Sequence, residues 1–466
     1  MKSQGIIIIT FFALLLSCCK GKGNSTPSEK DFPDTLRAVT LYGPISYFNY
    51  RGEEMGFDYE NIKNFASEQG MTLDLKVAPN MTRMIEMLED KEVDIIAYPV
   101  PHIEEYKSEL TYLGPQEISW QVLVKKKERK DIKDVTDLIG DTIWVEKNSR
   151  YHYRLINLNN ELGGGIEIKT IERDSIIDDD LIEMVHEGSI PMTIVDSDIA
   201  SLNNIYYPDL DMSLKVSLDQ LSSWAVRKDS EKLIEKINNW EKEIKSSETL
   251  KGIYKKYFEI SKNDFVNQGI TFSDIKLNKN NSISEYDHLF KRYGNSGGID
   301  WRLLASIGFN ESRFDPYVQS RFGATGLMQI MPVAAVSVGI PVENLTDPES
   351  NVKAAVRVLK QLDSSLKELV TDSAERIKFV VAAYNSGIGH IYDAIALAEK
   401  YHLNPTKWTG NVSETSLLKS KPEYYNDPVV KHGYFRGRET VEFVERVFSV
   451  YEIYKQKTDK NKLQKS

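Results

Sequence analysis

The chain has 466 residues, 59 Lys and Arg against 69 Asp and Glu, a formal net charge of -10 and two cysteines. This length predicts two or three domains, because a domain usually has ~100–200 residues. The acidic balance argues against a protein built chiefly to bind nucleic acid, and two cysteines exclude a disulfide framework or a multi-cysteine zinc site. The histidines lack a metal-ligand spacing such as HExxH, so no metal is expected.

Residues 1–17 have the features of a secretory signal, with Lys2 followed by a short apolar run and a break. The run is shorter than the ~20 residues that a membrane-spanning helix needs. The sequence LLSC that ends at Cys18 resembles a bacterial lipobox, which implies a lipid on Cys18. The alternative is a plain signal peptide that contains a cysteine. Residues 18–35 are rich in Gly, Ser, Pro and charge, which predicts a flexible tether.

Residues 36–260 alternate between strand and helix patterns, which predicts an α/β region with a parallel sheet and right-handed crossovers. Period-2 or β-branched runs predict strands, and apolar residues at i, i+3 and i+4 predict helices. The predicted strands are 36–41, 73–77, 93–98, 142–145 and 191–195. The predicted helices are 59–70, 81–88, 181–187 and one long charged helix over 233–257.

Several short segments of this region, in their order, resemble the family-3 periplasmic solute-binding domains. They are LYGP at 41–44, GFDY at 56–59, KEVDI at 91–95, EGSI at 187–190 and VDS at 195–197. The resemblance implies two α/β lobes around a ligand cleft. Asp196 follows a second-lobe strand and is the candidate ligand contact, since open α/β sheets bind ligands at the carboxyl ends of their strands.

The amino-acid-binding members of that family carry an arginine shortly after the position of Tyr98, where it grips the ligand carboxylate. This chain has PHIEEY at 101–106 instead, with acidic residues that would repel a carboxylate. We therefore expect that the ligand is not a free amino acid and is a different molecule such as a cell-wall peptide. The alternative is a scaffold with no small ligand, since a fold does not fix a function.

Residues 261–284 are polar and predict a linker, and residues 285–466 carry helical patterns without strand signals. The predicted helices are 299–312, 347–369, 376–384 and 439–454. Asp347 and Pro348 form a typical helix start, with a capping side chain followed by proline at the first helical position. We expect an all-α domain.

Glu311 is the candidate catalytic residue, because it shares the apolar face of its helix with Leu304 and Ile307. Burial favours the protonated carboxyl, and general-acid cleavage of a glycosidic bond requires that form near neutral pH. Gly308, three residues earlier, has no side chain, and we expect it to leave room for a sugar ring. The alternative from spacing alone is a structural glutamate paired with Arg313 or exposed to water.

Three motifs of the helical region resemble the lytic transglycosylase domain of the family-23, goose-lysozyme-like enzymes that cut peptidoglycan. They are ESRFDP at 311–316, GATGLMQIMP at 323–332 and AAYNSG at 382–387. With the solute-binding-like region in front, the whole chain is similar to the membrane-bound lytic murein transglycosylases of the F type. Near the C-terminus, ETVEFV at 439–444 resembles the last family motif, with Phe443 where many members have tyrosine.

The resemblance assigns Glu311 as the single catalytic acid and base. It implies substrate-binding roles for the residues that share the three motifs and Ser320 between them, which are Ser312, Ser320, Gly326, Leu327, Met328, Gln329, Tyr384 and Asn385. Glycine suits position 326 because we expect a sugar to approach the backbone closely there. Without the resemblance, Gly326 is compatible with a plain turn and Tyr384 with a core aromatic.

No motif residue supplies a second carboxylate, because Asp315 precedes Pro316 in a predicted turn. The resemblance therefore implies that Glu311 protonates the leaving oxygen and then deprotonates the C6 hydroxyl of N-acetylmuramate, which closes a 1,6-anhydro ring without a cofactor. Two alternatives stay open, a lysozyme-type hydrolase that uses water and a receptor with an inactive C-terminal domain. The lipobox implies a lipid-anchored envelope protein of a Gram-negative-type bacterium, on the outer membrane facing the periplasm.

Overall fold

The computed structural model describes residues 34–463, apart from 44, 103–109, 148, 172–177, 205–206, 245–246, 259–281 and 321. The predicted signal, nearly all of the tether with Cys18, residues 103–106 of the segment after Tyr98 and most of the predicted linker therefore lie outside the described residues. Within the described part, no helix has the length and apolar character to cross a bilayer.

The first lobe is built on a five-stranded sheet with the strand order β4-β1-β5-β12-β6. Strand β1 pairs in parallel with β4 and β5, because α1 and α2 form the crossovers between these strands. The elements from the start of the lobe are β1 (Thr35–Leu41), β2 (Phe48–Tyr50), β3 (Glu53–Met55), α1 (Phe57–Glu68), β4 (Thr72–Ala78), α2 (Met81–Glu89), β5 (Ile95–Pro101) and β6 (Leu110–Ser119).

The second lobe contains a sheet with the order β11-β7-β10-β8-β9. Its elements are β7 (Gln121–Lys126), β8 (Thr142–Glu146), α3 (Arg150–Glu161), β9 (Glu167–Ile171), α4 (Asp178–Glu187), β10 (Met192–Asp196), α5 (Ser197–Asn203) and β11 (Leu210–Asp211). The chain then returns to the first lobe with β12 (Gln220–Arg227), α6 (Glu231–Ile244) and α7 (Glu248–Phe258). The two-lobed α/β architecture is the predicted one.

Two expectations for this region were wrong in detail. The sheets are mixed rather than parallel, since β12 runs antiparallel to both β5 and β6 and β7 runs antiparallel to β10. Strand β7 is the first after the chain enters the second lobe, and β12 is the first after it returns. The direction of each is therefore set by the crossing between the lobes. The single helix predicted over 233–257 is two helices, α6 and α7, which the charge pattern alone does not separate.

The C-terminal domain is helical, as predicted. Its helices are α8 (Asp287–Gly297), α9 (Trp301–Ser312), α10 (Pro332–Ser337), α11 (Pro348–Leu366), α12 (Ser373–Ser386), α13 (Ile388–Lys400), α14 (Ser413–Leu418), α15 (Pro422–Tyr425) and α16 (Gly437–Leu463). The apolar faces of α8, α9, α11, α12 and α16 share one core cluster that includes Phe290, Leu304 and Phe379. Aspartate side chains cap the starts of α9, α11 and α12, and at α11 Asp347 accepts a hydrogen bond from the Ser350 amide.

Candidate active site

Helix α9 carries Glu311 into the interior of the C-terminal domain. Asp300 caps its start by accepting a hydrogen bond from the Arg302 amide, and Arg313 ends it in the left-handed conformation. The side chain of Glu311 is only 6% exposed, although it lies in the last turn of the helix. The structure thus places this carboxyl in a buried setting and pairs it with a residue other than Arg313.

A loop over residues 325–330 packs against the end of α9, and two predicted site residues hold it there. Ser312 donates from its hydroxyl to the Leu327 carbonyl at 2.8 Å. Tyr384 donates from its hydroxyl to the Met328 carbonyl at 2.5 Å. Leu327 and Met328 are fully buried. The motif residues on α9, the loop and α12 are therefore brought together, with Ser312 and Tyr384 acting on the loop backbone.

Asn351 on α11 fixes the other side of this loop. Its side-chain oxygen accepts from the Met328 amide at 2.7 Å, and its amide group donates to the carbonyls of Thr325 and Leu345 at 2.8 Å each. Asn351 is fully buried and was not singled out from the sequence. Its side chain also approaches Gly326 too closely to leave room for a Cβ at that position.

Gly326 and Gly308, which we expected to make room for a sugar, are each packed closely against other parts of the protein. Gly326 has φ +82°, and a Cβ there would lie 2.5 Å from Asn351 Nδ2 and closer still to the Leu345 carbonyl oxygen. A Cβ on Gly308 would meet Met328 Sδ at 3.1 Å and Phe290 Cζ at 3.3 Å. Both glycines therefore permit close packing of the protein itself.

Gln329 and Ser320 also support the loop. The Gln329 side chain donates to the carbonyls of Val318 and Gly326 at 2.9 and 3.0 Å. Ser320 accepts from the Ala324 amide at 3.0 Å and closes a turn just before the loop. The side chains of Gln329 and Ser320 thus stabilise the loop conformation. The Gln329 backbone carbonyl, in contrast, accepts a hydrogen bond from Arg51 of the first lobe.

Asn385, at the end of α12, is held by the last helix. Thr440 on α16 donates to Asn385 Oδ1 at 2.6 Å. Phe443, which stands where the family often has tyrosine, is 2% exposed and belongs to the helical core. Asp315 accepts from the Tyr317 amide at 2.9 Å, which is a turn-forming contact.

A hairpin of the first lobe enters this site. Strands β2 and β3 pair antiparallel, and the two residues between them, Arg51 and Gly52, have φ of 52° and 86°. The Arg51 guanidinium donates from Nη2 to both carboxylate oxygens of Glu311, at 3.0 and 3.2 Å. Both side chains are almost fully buried, at 8% and 6% exposed.

The remaining N–H groups of Arg51 donate hydrogen bonds to backbone carbonyls around Glu311. Nε donates to the Asn385 carbonyl at 3.0 Å, and Nη1 donates to the Gln329 carbonyl at 2.7 Å. The Arg51 amide donates to the Ser386 carbonyl at 3.2 Å. A Cβ on Gly387 would lie 2.8 Å from the Gly52 nitrogen, so the two backbones are in contact. The hairpin tip therefore occupies the space beside Glu311.

Burial and Arg51 act on the Glu311 carboxyl in opposite directions. Desolvation is the larger effect and raises the pKa of Glu311, while the charge and hydrogen bonds of Arg51 and the charge of Arg446 lower it. Withdrawal of Arg51 removes a lowering effect, so a carboxyl that remains desolvated holds its proton to higher pH. The hairpin thus both fills the site and favours the ionised form of Glu311.

Further contacts secure the hairpin. Phe322 packs on Phe48 and Tyr50, with ring centroids 5.7 and 4.8 Å apart. His390 on α13 contacts the Asn49 carbonyl through Nε2 at 3.2 Å. The second lobe touches the same domain separately, because Arg438 on α16 forms ion pairs with Glu183 and Glu187 on α4. Both lobes are therefore joined to the helical domain.

Asp196, the predicted ligand contact, ends β10, interacts electrostatically with Glu117 of the first lobe and is 3% exposed. It forms an ion pair with Arg150 at the start of α3. Arg150 was missed from the sequence because it follows no motif of the resemblance. Arg51 was missed as well; a two-residue turn between short strands is a hairpin signal, but nothing local shows where the hairpin docks.

No group of three or more His, Cys, Asp or Glu in the described part of the chain is arranged to hold a metal ion. The site is thus made of one carboxyl, backbone carbonyls and an inserted guanidinium.

Comparison with known families agrees with the two halves of the fold. Residues 37–260 match the model of bacterial extracellular solute-binding proteins, family 3, and residues 288–405 match the transglycosylase SLT domain. A curated relative from Desulfosudis oleivorans, a membrane-bound lytic murein transglycosylase F, is 32% identical over 88% of this chain and 88% of its own length. The chain belongs to the membrane-bound lytic murein transglycosylase F family.

A second F-family relative, from Pseudomonas putida, is 30% identical over 96% of this chain and 90% of its own length. Membership of the F family places the chain among lytic transglycosylases. Similar solved structures include an ancestral arginine-binding protein bound to arginine, which is 23% identical, has a TM-score of 0.43 and covers 48% of this chain and 99% of its own.

Proposed function

We propose that the chain cleaves the β-1,4 bond between N-acetylmuramate and N-acetylglucosamine of peptidoglycan and forms 1,6-anhydromuramate, with Glu311 as the single acid and base. The observation that carries this proposal is the buried carboxyl at the end of α9, with burial raising the pKa of Glu311. Among the described residues, the charged groups that shift it are two arginines, Arg51 and Arg446. The surroundings thus favour one acid that gives and then takes a proton, in place of a carboxylate pair.

The reaction needs two proton transfers at one carboxyl. Glu311 donates its proton to the glycosidic oxygen as the bond to C1 of N-acetylmuramate breaks, and the substrate N-acetyl group stabilises the positive charge at C1. The Glu311 carboxylate then accepts the proton of the C6 hydroxyl, whose oxygen bonds to C1. Water is not consumed, and Glu311 ends protonated as it began.

The other predicted site residues serve this reaction in two ways. The carbonyls of Gln329 and Asn385, which now accept from Arg51, are free to accept from sugar hydroxyl or amide groups once Arg51 has left. Ser312, Ser320, Gly326, Leu327, Met328 and Tyr384 act as positioning residues for the loop that presents these carbonyls.

The test is the digestion of purified sacculi by the full chain and by Glu311→Gln, with products identified by mass spectrometry. We expect 1,6-anhydro ends from the wild type and none above background from E311Q, whose far-UV circular dichroism and cooperative unfolding should show that the fold survives. Asp315→Asn is the matched control and should stay active. Reducing ends would instead indicate a hydrolase, and an active E311Q would refute the role of Glu311.

We infer further that the solute-binding-like domain regulates the enzyme, in the remodelling of the cell wall. The hairpin of the first lobe blocks Glu311, and the second lobe holds α16 through Arg438. A ligand that changes the angle between the lobes must therefore strain one of these two attachments. If the ligand, such as a cell-wall peptide, favours the state in which the hairpin has left, it activates the enzyme by the difference in its affinity for the two states.

We also propose that Cys18 carries lipid and anchors the enzyme in the envelope, on the outer membrane facing the periplasm, where it reaches peptidoglycan. The support is the LLSC sequence and the tether at 18–35. Metabolic labelling with a radioactive fatty acid should mark the wild type and leave Cys18→Ala unlabelled, and membrane fractionation should place the labelled protein in the outer membrane. Equal labelling of the two proteins would contradict the anchor.

A further inference from the structure

The cleft between the two lobes contains an unusual set of charged groups. Asp58 on α1 and Glu117 on β6 belong to the first lobe, and Asp196 and Asp198 near the start of α5 belong to the second. Glu117 interacts electrostatically with the other three carboxylates and with Arg150. Among the described residues, this set of four carboxylates is accompanied by one guanidinium, that of Arg150, which also interacts with Asp178 on α4.

Arg150 is not free to bind a ligand carboxylate. Asp196 pairs with it through Oδ2, and the guanidinium lies over the ring of Tyr151 at 5.1 Å from its centroid. It also donates to the Tyr151 hydroxyl at 3.2 Å. Its charge acts on Glu117, Asp196 and Asp198 together, so among the described residues one cation of this set serves several carboxylates.

Polar atoms in the cleft are buried without partners. Gln121 lies directly opposite Asp196 in the β7–β10 pair, so both side chains point to the same face of the sheet. Among the described residues, both amide atoms of Gln121 and Oδ1 of Asp196 have no hydrogen-bond partner, although the two residues are 0% and 3% exposed. Such groups are costly unless a ligand or water satisfies them.

The first lobe presents the same feature from the other side. Asp58 accepts from the Trp224 indole at 2.8 Å through Oδ1, and its Oδ2 is buried with no hydrogen-bond partner among the described residues. Burial raises the pKa of Asp58 and of Asp196 to about 7. A bound cation would offset this desolvation and keep both carboxylates ionised.

We propose that the cleft recognises its ligand through ammonium or guanidinium groups, held by Asp58, Glu117, Asp196 and Asp198, with the Gln121 amide as an additional hydrogen-bonding group. Arg150 orients Asp196 and does not serve as an anchor for a carboxylate. This inference rests on the proposed regulation by a cell-wall peptide and specifies it, because it requires free amino groups on that peptide.

The test uses peptides released from purified sacculi by an amidase, before and after acetylation of their amino groups, titrated into the full chain by calorimetry. We expect binding of the untreated peptides and an affinity lower by about ten-fold or more after acetylation, as charge-assisted hydrogen bonds are lost. Equal affinity for both preparations, or binding of neither, would overturn the proposal.

Variants locate the effect in the cleft. Glu117→Gln and Asp198→Asn should each weaken binding of the untreated peptides and leave binding of the acetylated peptides unchanged, while Asp131→Asn, on the exposed surface of the second lobe, should bind as the wild type does. Wild-type affinity in both cleft variants would contradict the assignment. Because calorimetry does not depend on turnover, failure here is distinguishable from failure of the 1,6-anhydro product assay.

Discussion

Arg51 and Glu311 are 260 positions apart in the chain, yet the guanidinium of one bonds both carboxylate oxygens of the other. The contact joins the first lobe to α9 in a setting from which water is largely excluded. Removing one partner of a buried pair leaves an uncompensated charge, which costs ~3–5 kcal/mol. The state with the hairpin in the site therefore depends strongly on this arginine.

The first prediction is that Arg51→Ala activates the enzyme in the absence of ligand. Loss of the guanidinium destabilises the blocked state, so release of soluble fragments from sacculi should rise by about ten-fold or more. Arg83→Ala, on the surface of the same lobe, is the control and should match the wild type. A rate that stays the same or falls in R51A would mean that Arg51 does not hold the enzyme inactive.

The second prediction concerns the loop over 325–330. Tyr384→Phe removes the donor to the buried Met328 carbonyl, which should lower the free energy of unfolding by ~1–3 kcal/mol and reduce the rate of wall digestion. Tyr392→Phe is the matched control, because that hydroxyl lies 3.4 Å from the Ser365 carbonyl in an exposed contact. Denaturant unfolding measures the stability of the two variants. If Tyr384→Phe is as stable as Tyr392→Phe, the Tyr384 hydroxyl does not stabilise the loop.

The third prediction separates backbone strain from steric conflict. Gly326 and Gly323 both have positive φ, but a Cβ on Gly323 meets only Pro332 at 4.0 Å, whereas one on Gly326 collides with Asn351 and Leu345. Gly323→Ala should therefore lose ~1–2 kcal/mol of stability, and Gly326→Ala should lose ~2 kcal/mol more. Similar melting temperatures for the two variants would show that the loop can shift to accommodate a Cβ at position 326 at little cost.

The fourth prediction is a pH effect at the hairpin contact. Burial and the neighbouring Lys419 charge lower the pKa of His390 to about 3 from an ordinary value of 6.5. Between these values the unfolded chain binds a proton at this residue and the folded chain does not, so His390 makes stability fall as pH falls from 6.5 towards 3. Above pH 6.5 it makes no such contribution.

The measurement is the free energy of unfolding at several pH values between 6 and 4. His390→Gln should reduce the slope by up to one proton, or ~1.4 kcal/mol per pH unit. His288→Gln removes an exposed histidine and should leave the slope as in the wild type. If the two variants have the same slope, His390 is not neutral in the folded protein.

Local patterns predicted much of this structure and missed what depends on distant contacts. The burial of Glu311 followed from its spacing to Leu304 and Ile307, and the helical C-terminal half was confirmed. Gly326 was noticed for its residue type, but its cause is Asn351, which lies on another helix. The sequence around Arg51 does not indicate where its side chain binds, because its partners are residues more than 250 positions away.

The blocking arginine is part of the same polypeptide as the carboxyl that it covers. Dilution cannot separate them, and a higher copy number cannot increase their encounter, so the fraction of open molecules is fixed by an internal equilibrium. The number of open molecules therefore rises only in proportion to the number of copies, and the fraction in the open state is the same at every expression level.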